Sequence, residues 1–193
     1  MPRLTPRRLG LRLGLPLCMT LALGVLVACN EPQAGPMVVG SEQGSALTRP
    51  VGTELTEGVQ VLWLEGDEPG TLKKVELVGG EEGVQLIGAE VLPPPRKAGA
   101  IQFLVGWPPQ QTQEIDLSTA VPAEGARIGT ESESEEGWEL LLGLRVVKDG
   151  FWHRRFIRVT YQVGDDEYRV DLPTTLTLCT TEKYEVDGHC PFQ

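Results

Sequence analysis

Five basic side chains, Arg145, Lys148, Arg154, Arg155 and Arg158, fall within fourteen residues of this chain, with Trp152 and His153 between them. Guanidinium groups take up carboxylates, sulfates and phosphates through paired N–H donors, and aromatic faces beside them suit a sugar or a peptide. Arg145, Arg154, Arg158, Trp152 and His153 are therefore the candidate binding surface. A second charged feature, Glu131, Glu133, Glu135 and Glu136, offers oxygens of the kind calcium binds. It has neither the EF-hand spacing nor an Asp-x-Asp pattern, so it reads as a solvated acidic loop. Catalysis finds little support. There is no Gly-x-Ser-x-Gly elbow, no His-Glu-x-x-His, no Cys-x-x-Cys and no phosphate-cradling glycine loop. Only two histidines, His153 and His189, are present. Paired carboxylates of the glycosidase kind have no spacing that separates them from the other acids. The expectation is a protein that is not an enzyme, with no catalytic residues, no cofactor and no metal.

The N-terminus carries chemistry of another kind. The leader MPRLTPRRLGLRLGLPLCMTLALGVLVAC opens with Arg3, Arg7, Arg8 and Arg12, and no acid precedes Glu31. Leu13 to Ala28 is a run of sixteen uncharged residues interrupted by Gly14, Pro16 and Gly24. A membrane span needs about 20 apolar residues, so this run is too short and too broken. A basic start, an apolar middle and small residues at a cut site describe a secretory signal peptide.

Leu26-Val27-Ala28-Cys29 resembles the lipobox of bacterial lipoproteins. The resemblance implies a diacylglyceryl group on the Cys29 thiol, cleavage before Cys29 and a further acyl chain on the new amine. Two or more chains, at ~0.8 kcal/mol per buried CH₂, hold a protein to a bilayer where one does not. The implied location is the cell membrane or outer membrane, lipid-anchored and facing away from the cytoplasm. On that reading Cys18 leaves with the leader and Cys29 is lipidated, so Cys179 and Cys190 remain as an even pair in an oxidising compartment. A disulfide between them would close a loop of about 12 residues and contribute roughly 3 kcal/mol in the chain-entropy model. The rival, a metal site joining those thiolates to His189 and Asp187, lacks the closely spaced ligand pairs of zinc sites.

Loss of residues 1–28 removes four arginines and no acid, so the formal charge falls from -10 to -14. So acidic a surface repels phosphate backbones, which excludes nucleic acid as a partner. The mature chain is long enough for one domain with a real core. The expected organisation is a signal peptide over 1–28, a lipidated N-terminus and flexible tether over 29–55, and a β domain over 56–193. The tether is rich in Pro, Gly and polar residues, with Met37-Val38-Val39 as a place where it could dock.

What must position the candidate residues is a set of short strands split by turn signals. VQVLWL, LKKVELV, VQLIGAEVL and IQFLVGW each stop at glycine or proline. From Trp138 onward the pattern predicts two hairpins and a further strand. Asp149-Gly150 is a strong type I′ turn dipeptide. Pairing outward from it sets Leu142 opposite Ile157, Leu140 opposite Val159, Trp138 opposite Tyr161 and Arg145 opposite Arg154. A second turn at Gly164-Asp165 sets Val170 beside Val159, Leu172 beside Ile157 and Asp171 beside Arg158. Like charges directly opposite destabilise a sheet unless something neutralises them, either a partner's anion or an acidic segment of the same chain. The predicted fold is an all-β antiparallel sandwich, immunoglobulin-like in style, without the Cys…Trp…Cys spacing of true immunoglobulin domains. The function these features predict is a lipid-anchored cell-envelope protein with a binding or interaction domain, its partners the membrane and envelope proteins or polysaccharide. The alternatives are a small-ligand or metal-binding lipoprotein using His153 and His189, and an enzyme acting on envelope polymers.

Overall fold

Apolar runs between glycine- and proline-bearing turns become strands throughout the computed structural model, which describes residues 35–95, 101–110 and 116–192. The leader and Cys29 lie outside the described residues. The elements are β1 (Gln43–Thr48), β2 (Glu54–Leu62), β3 (Gly70–Val78), β4 (Val84–Leu92), β5 (Phe103–Val105), β6 (Val121–Pro122), β7 (Arg127–Ile128), β8 (Trp138–Val146), β9 (Phe151–Arg154), β10 (Phe156–Val163), β11 (Asp166–Leu172) and β12 (Thr174–Cys179), then one turn of 3-10 helix at Glu182–Tyr184. The chain is all-β. One antiparallel sheet has the order β5-β2-β8-β4-β6 and a second the order β11-β10-β3-β7. A third, β1-β12-β9, pairs β12 antiparallel to β9 and parallel to β1.

One core joins all three sheets. Leu55 and Leu62 of β2 and Leu140, Leu142 and Leu144 of β8 pack with Leu72 of β3, Ile157, Val159 and Tyr161 of β10, and Leu176 and Leu178 of β12. β8 is the central strand of the five-stranded sheet and is buried on both faces. Its other face places Leu141 in a small second cluster with Leu92 and Ile101, beside Trp107. Burial on both sides is why WELLLGL, apart from the buried Glu139, is an apolar run rather than an alternating one. Trp107 lies over the register-paired glycines Gly88 and Gly143, where a Cβ on Gly143 would come within 2.2 Å of the indole.

The Gly164-Asp165 turn forms as expected. Gly164 takes φ 57°, and β10 and β11 pair Val159 with Val170, Ile157 with Leu172 and Arg158 with Asp171. The Asp149-Gly150 hairpin does not form. β8 pairs with β2 and β4 and never with β10, so Leu142 faces Glu57 and Ala89 while Ile157 faces Leu77 and Leu172. A type I′ turn needs positive φ at both central residues, and Asp187 is the one non-glycine residue with positive φ among the described residues. Asp149 instead spends its carboxylate on the C-terminal tail, accepting from Lys183 Nζ at 2.6 Å, from Tyr184 at 3.2 Å and from Thr180. These donors, Lys183 foremost, hold its carboxyl below the usual range. The chain then turns into β9, which pairs with β12.

The stretch read as tether contains structure. Met37 is buried, bridges Leu64 and donates its N–H to Tyr161 Oη at 2.9 Å. Beyond it, β1 lies alongside β12 from Gln43↔Thr174 to Thr48↔Cys179. Composition missed it because QGSALT is small and polar. Parallel pairing to a strand about 130 residues later in the chain leaves no local signal. The Cys179–Cys190 disulfide is formed, with Cα atoms 5.6 Å apart.

Candidate functional site

The basic cluster is not one surface. Arg145 lies on β8 opposite Glu54, which it holds with Nε at 2.9 Å and Nη2 at 2.6 Å. Arg158 grips Asp171 with two bonds of 2.7 and 2.9 Å, and its guanidinium stands 5.2 Å from the Phe156 ring. Arg155 is exposed, also stacked near Phe156. Lys148 stands 5.4 Å from the Trp152 ring centre. The Trp152 indole itself donates to Lys148 O and fills the space above Gly83. His153 Nδ1 is 3.1 Å from Thr177 Oγ1. Among the described residues no group of three or more His, Cys, Asp and Glu side chains could hold a metal ion.

Arg154 departs furthest from the sequence reading. It does not face Arg145, and it is not on a surface. Paired with Leu176 in the ladder, it points inward at 4% exposure and forks onto the fully buried Glu57 carboxylate of β2, with Nη1 on one oxygen and Nη2 on the other at 2.8 Å. Its Nε and Nη2 also donate to Thr174 O at 3.2 and 3.1 Å. Gln60, on the same strand as Glu57, donates to Thr174 Oγ1. One buried network thus ties β2 of the five-stranded sheet to β9 and β12 of the three-stranded sheet. The sequence reading missed Glu57, which falls between the supposed tether and the first strand it recognised, VQVLWL.

Beside this strut, with Gln60 common to both, lies an open groove of about 980 Å³. One wall is β1 with Gly44, Ala46, Leu47 and the exposed Phe192. The other is Gln60, Val61 and Trp63 with Ile101, Gln102 and Phe103. Phe192 is brought to the rim by the adjacent Cys179–Cys190 disulfide. Glu135 and Glu136 line one end, beside Trp63, against which Gly137 packs. Arg49 lines the other end, just past β1, with its N–H bonded to Cys179 O.

β1 is an edge strand. The N–H groups of Gln43 and Arg49 point to Pro173 O and Cys179 O on the β12 side. Strand alternation therefore aims the backbone N–H and C=O of Gly44, Ala46 and Thr48 away from β12, into the groove. Arg49 Nη1 caps the Thr48 carbonyl at 2.7 Å. The Gly44 and Ala46 groups have no backbone partner among the described residues.

Within the acidic loop, Glu133 accepts two bonds from Arg127 Nη2 at 2.8 and 2.7 Å, and this pairing, helped by Thr130, lowers its carboxyl pKa. The like-charge pair expected of Arg145 and Arg154 does not arise, since the two are not opposite each other; Arg145 is paired with Glu54 and Arg154 with Glu57, and this loop takes no part. No protein-family model matches the chain, and no curated protein and no solved structure matches it either.

Proposed function

We propose that this chain is a lipid-anchored protein of the cell envelope whose β domain is a binding module rather than an enzyme. The observation that carries the binding reading is the open groove with, along one wall, a strand edge that has no pairing strand among the described residues. Such a wall offers a ladder of donors and acceptors, the feature extended ligands use. The anchor rests on Leu26-Val27-Ala28-Cys29 closing a basic, then apolar, leader. An immunoglobulin-like sandwich is the architecture we infer for the domain. In support, the β5-β2-β8-β4-β6 and β11-β10-β3-β7 sheets contribute inward residues to one core.

Mass spectrometry of the membrane fraction tests the anchor. The expected N-terminal peptide begins at Cys29 with acyl chains attached, and Cys29→Ala leaves the leader in place. A mature chain with an unmodified Cys29, or an uncut leader in the parent protein, refutes it. The binding reading is tested by ligand capture on the purified chain, as specified below.

A further inference from the structure

We infer that the groove receives an extended peptide segment of a protein partner, about six residues long, which adds to β1 as a new antiparallel strand. This deepens the binding-module reading and rests on it. Three observations converge. The first is the free edge. Gly44 and Ala46 present their backbone N–H and C=O groups outward with no backbone partner among the described residues. Nothing in QGSALT protects that edge, since it contains no Lys, no Pro and no inward charge, the usual devices against strand addition.

The second is the opposite wall. Val61, Trp63 and Phe103 line the same groove as the β1 edge and are half-buried. A strand added to β1 turns alternate side chains toward them, so the occupant carries apolar residues at every second position. β1 has six residues, which at ~3.3 Å each is a bed of roughly 20 Å.

The third is charge. Gln43, at the start of β1, pairs with Thr174, which accepts from Gln60, and β2 leads on from Gln60 to Trp63 and the Glu135–Gly137 segment. Arg49 follows the end of β1, so β1 runs from the Glu135 side of the groove toward Arg49. An antiparallel occupant runs the other way, and antiparallel ladders are the more stable. Its acidic residue then comes first, at Arg49, and its basic residue last, at Glu135. A polysaccharide would not need a strand edge, and an anionic lipid would meet carboxylates at one mouth.

The probe is a labelled, end-capped peptide, Asp-Val-Thr-Val-Thr-Val-Lys, titrated by fluorescence anisotropy against the full chain in detergent micelles. Saturable binding is expected. Exchanging its Asp and Lys should weaken it, and Glu135→Lys, which makes both ends of the groove cationic, should abolish that preference. N-methylation of the alternate peptide amides that face β1 should weaken binding about tenfold or more, the worth of a lost ladder bond, while methylation of the other set changes it little. Ala46→Pro should weaken it similarly. It removes a donor that makes no bond to β12, and proline is tolerated on edge strands. The methylated peptides supply the same test if that variant does not fold.

Absence of saturation at millimolar peptide, or equal effects of the two methylation patterns, overturns the inference. So does sedimentation showing a dimer that Ala46→Pro dissociates, which would assign the edge to a second copy of the chain. The assay does not depend on lipidation. An unmodified Cys29 therefore sinks the anchor without touching this result, and failed peptide binding leaves the anchor standing.

Discussion

Arg154 and Glu57 form an ion pair with 3% and 0% of their side chains exposed, bridging two sheets beside the groove. Removing one partner strands the other charge where water cannot reach it, and such losses run to about 3–5 kcal/mol. Arg154→Met leaves the Glu57 carboxylate without the fork that holds both its oxygens. Glu57→Leu leaves a guanidinium whose protein partner is the Thr174 carbonyl. Each single variant should therefore lose about 3–5 kcal/mol of a total that for an ordinary domain is about 5–15 kcal/mol. With a urea m-value of about 2 kcal/mol/M, that moves the midpoint down by roughly 2 M. The double variant Glu57→Leu/Arg154→Met places apolar groups of similar volume in the same space. Replacements of this type come out near neutral or stabilising, so the double should lie within about 1 kcal/mol of the parent, far from the sum of the singles. Urea unfolding followed by circular dichroism, with m compared across the four proteins, reads the whole cycle. Single variants that each cost under about 1 kcal/mol would show a solvated pair and refute the strut. A double variant as unstable as the sum would show that the two residues do not act as a pair.

Three other outcomes follow from the packing. Burial pushes the Tyr161 phenol up from 10.0 to about 12. Because its folded pKa lies above the unfolded one, the stability it supports is full below about pH 10 and is lost as pH rises toward 12, by at most about 2–3 kcal/mol. Tyr161→Phe should flatten that alkaline limb in urea titrations between about pH 9 and 11.5, and an unchanged limb counts against the assignment. The Cys179–Cys190 bridge spans a separation of 11 residues, so Cys179→Ser/Cys190→Ser should cost about 3 kcal/mol. It should also free Phe192 from the groove rim, which peptide anisotropy would register as weaker binding; full binding in that variant would show that Phe192 is not a wall. Gly143→Ala drives a methyl group into the Trp107 indole and should cost about 1–3 kcal/mol, with a changed near-ultraviolet dichroism of the displaced ring.

The all-β class was legible because strand periodicity, turn glycines and the lack of long helical periods are local properties. The β10–β11 hairpin was legible for the same reason, down to the Arg158–Asp171 pair. The larger hairpin misled because Asp149-Gly150 has the dipeptide of a two-residue turn, while the pairing of its flanks is decided elsewhere. Trp138 to Leu144 is an almost continuous apolar run, the mark of a central strand with a sheet neighbour on each side. An alternating hairpin arm needs only one buried face, so that run itself argued against the pairing with β10. The site was less legible still. Its walls come from residues 40, 43–47, 49, 60, 61, 63, 101–103, 135–136 and 192, which no spacing rule connects. Arg154 shows the limit plainly: among five neighbouring cations, only the fold decides which one is turned inward.

If Cys29 is lipidated as proposed, the place of Met37 predicts which end of the domain faces the bilayer. Met37 is pinned by Leu64 and Tyr161, and the eight residues from Cys29 to Met37 span at most about 29 Å. The expectation is that the anchor holds the domain close by the end where β3 begins and β10 stops. That end carries exposed Glu65, Asp67, Glu68, Asp165, Asp166 and Glu167, so it stands off from anionic headgroups rather than lying on them. Glu82 lies at the far end of β3 in the turn before β4, about 30 Å from Glu68 for a nine-residue strand, and is therefore expected to face away from the bilayer. A dye placed by Glu68→Cys should transfer energy to acceptor-labelled lipid much more efficiently than the same dye placed by Glu82→Cys. Adding phosphatidylserine at low salt should reduce the Glu68 signal, and salt should restore it. Equal transfer from the two positions would mean that the Met37 anchor does not orient the domain. A Glu68 signal insensitive to lipid charge would mean that the acidic end is not the face presented to the bilayer.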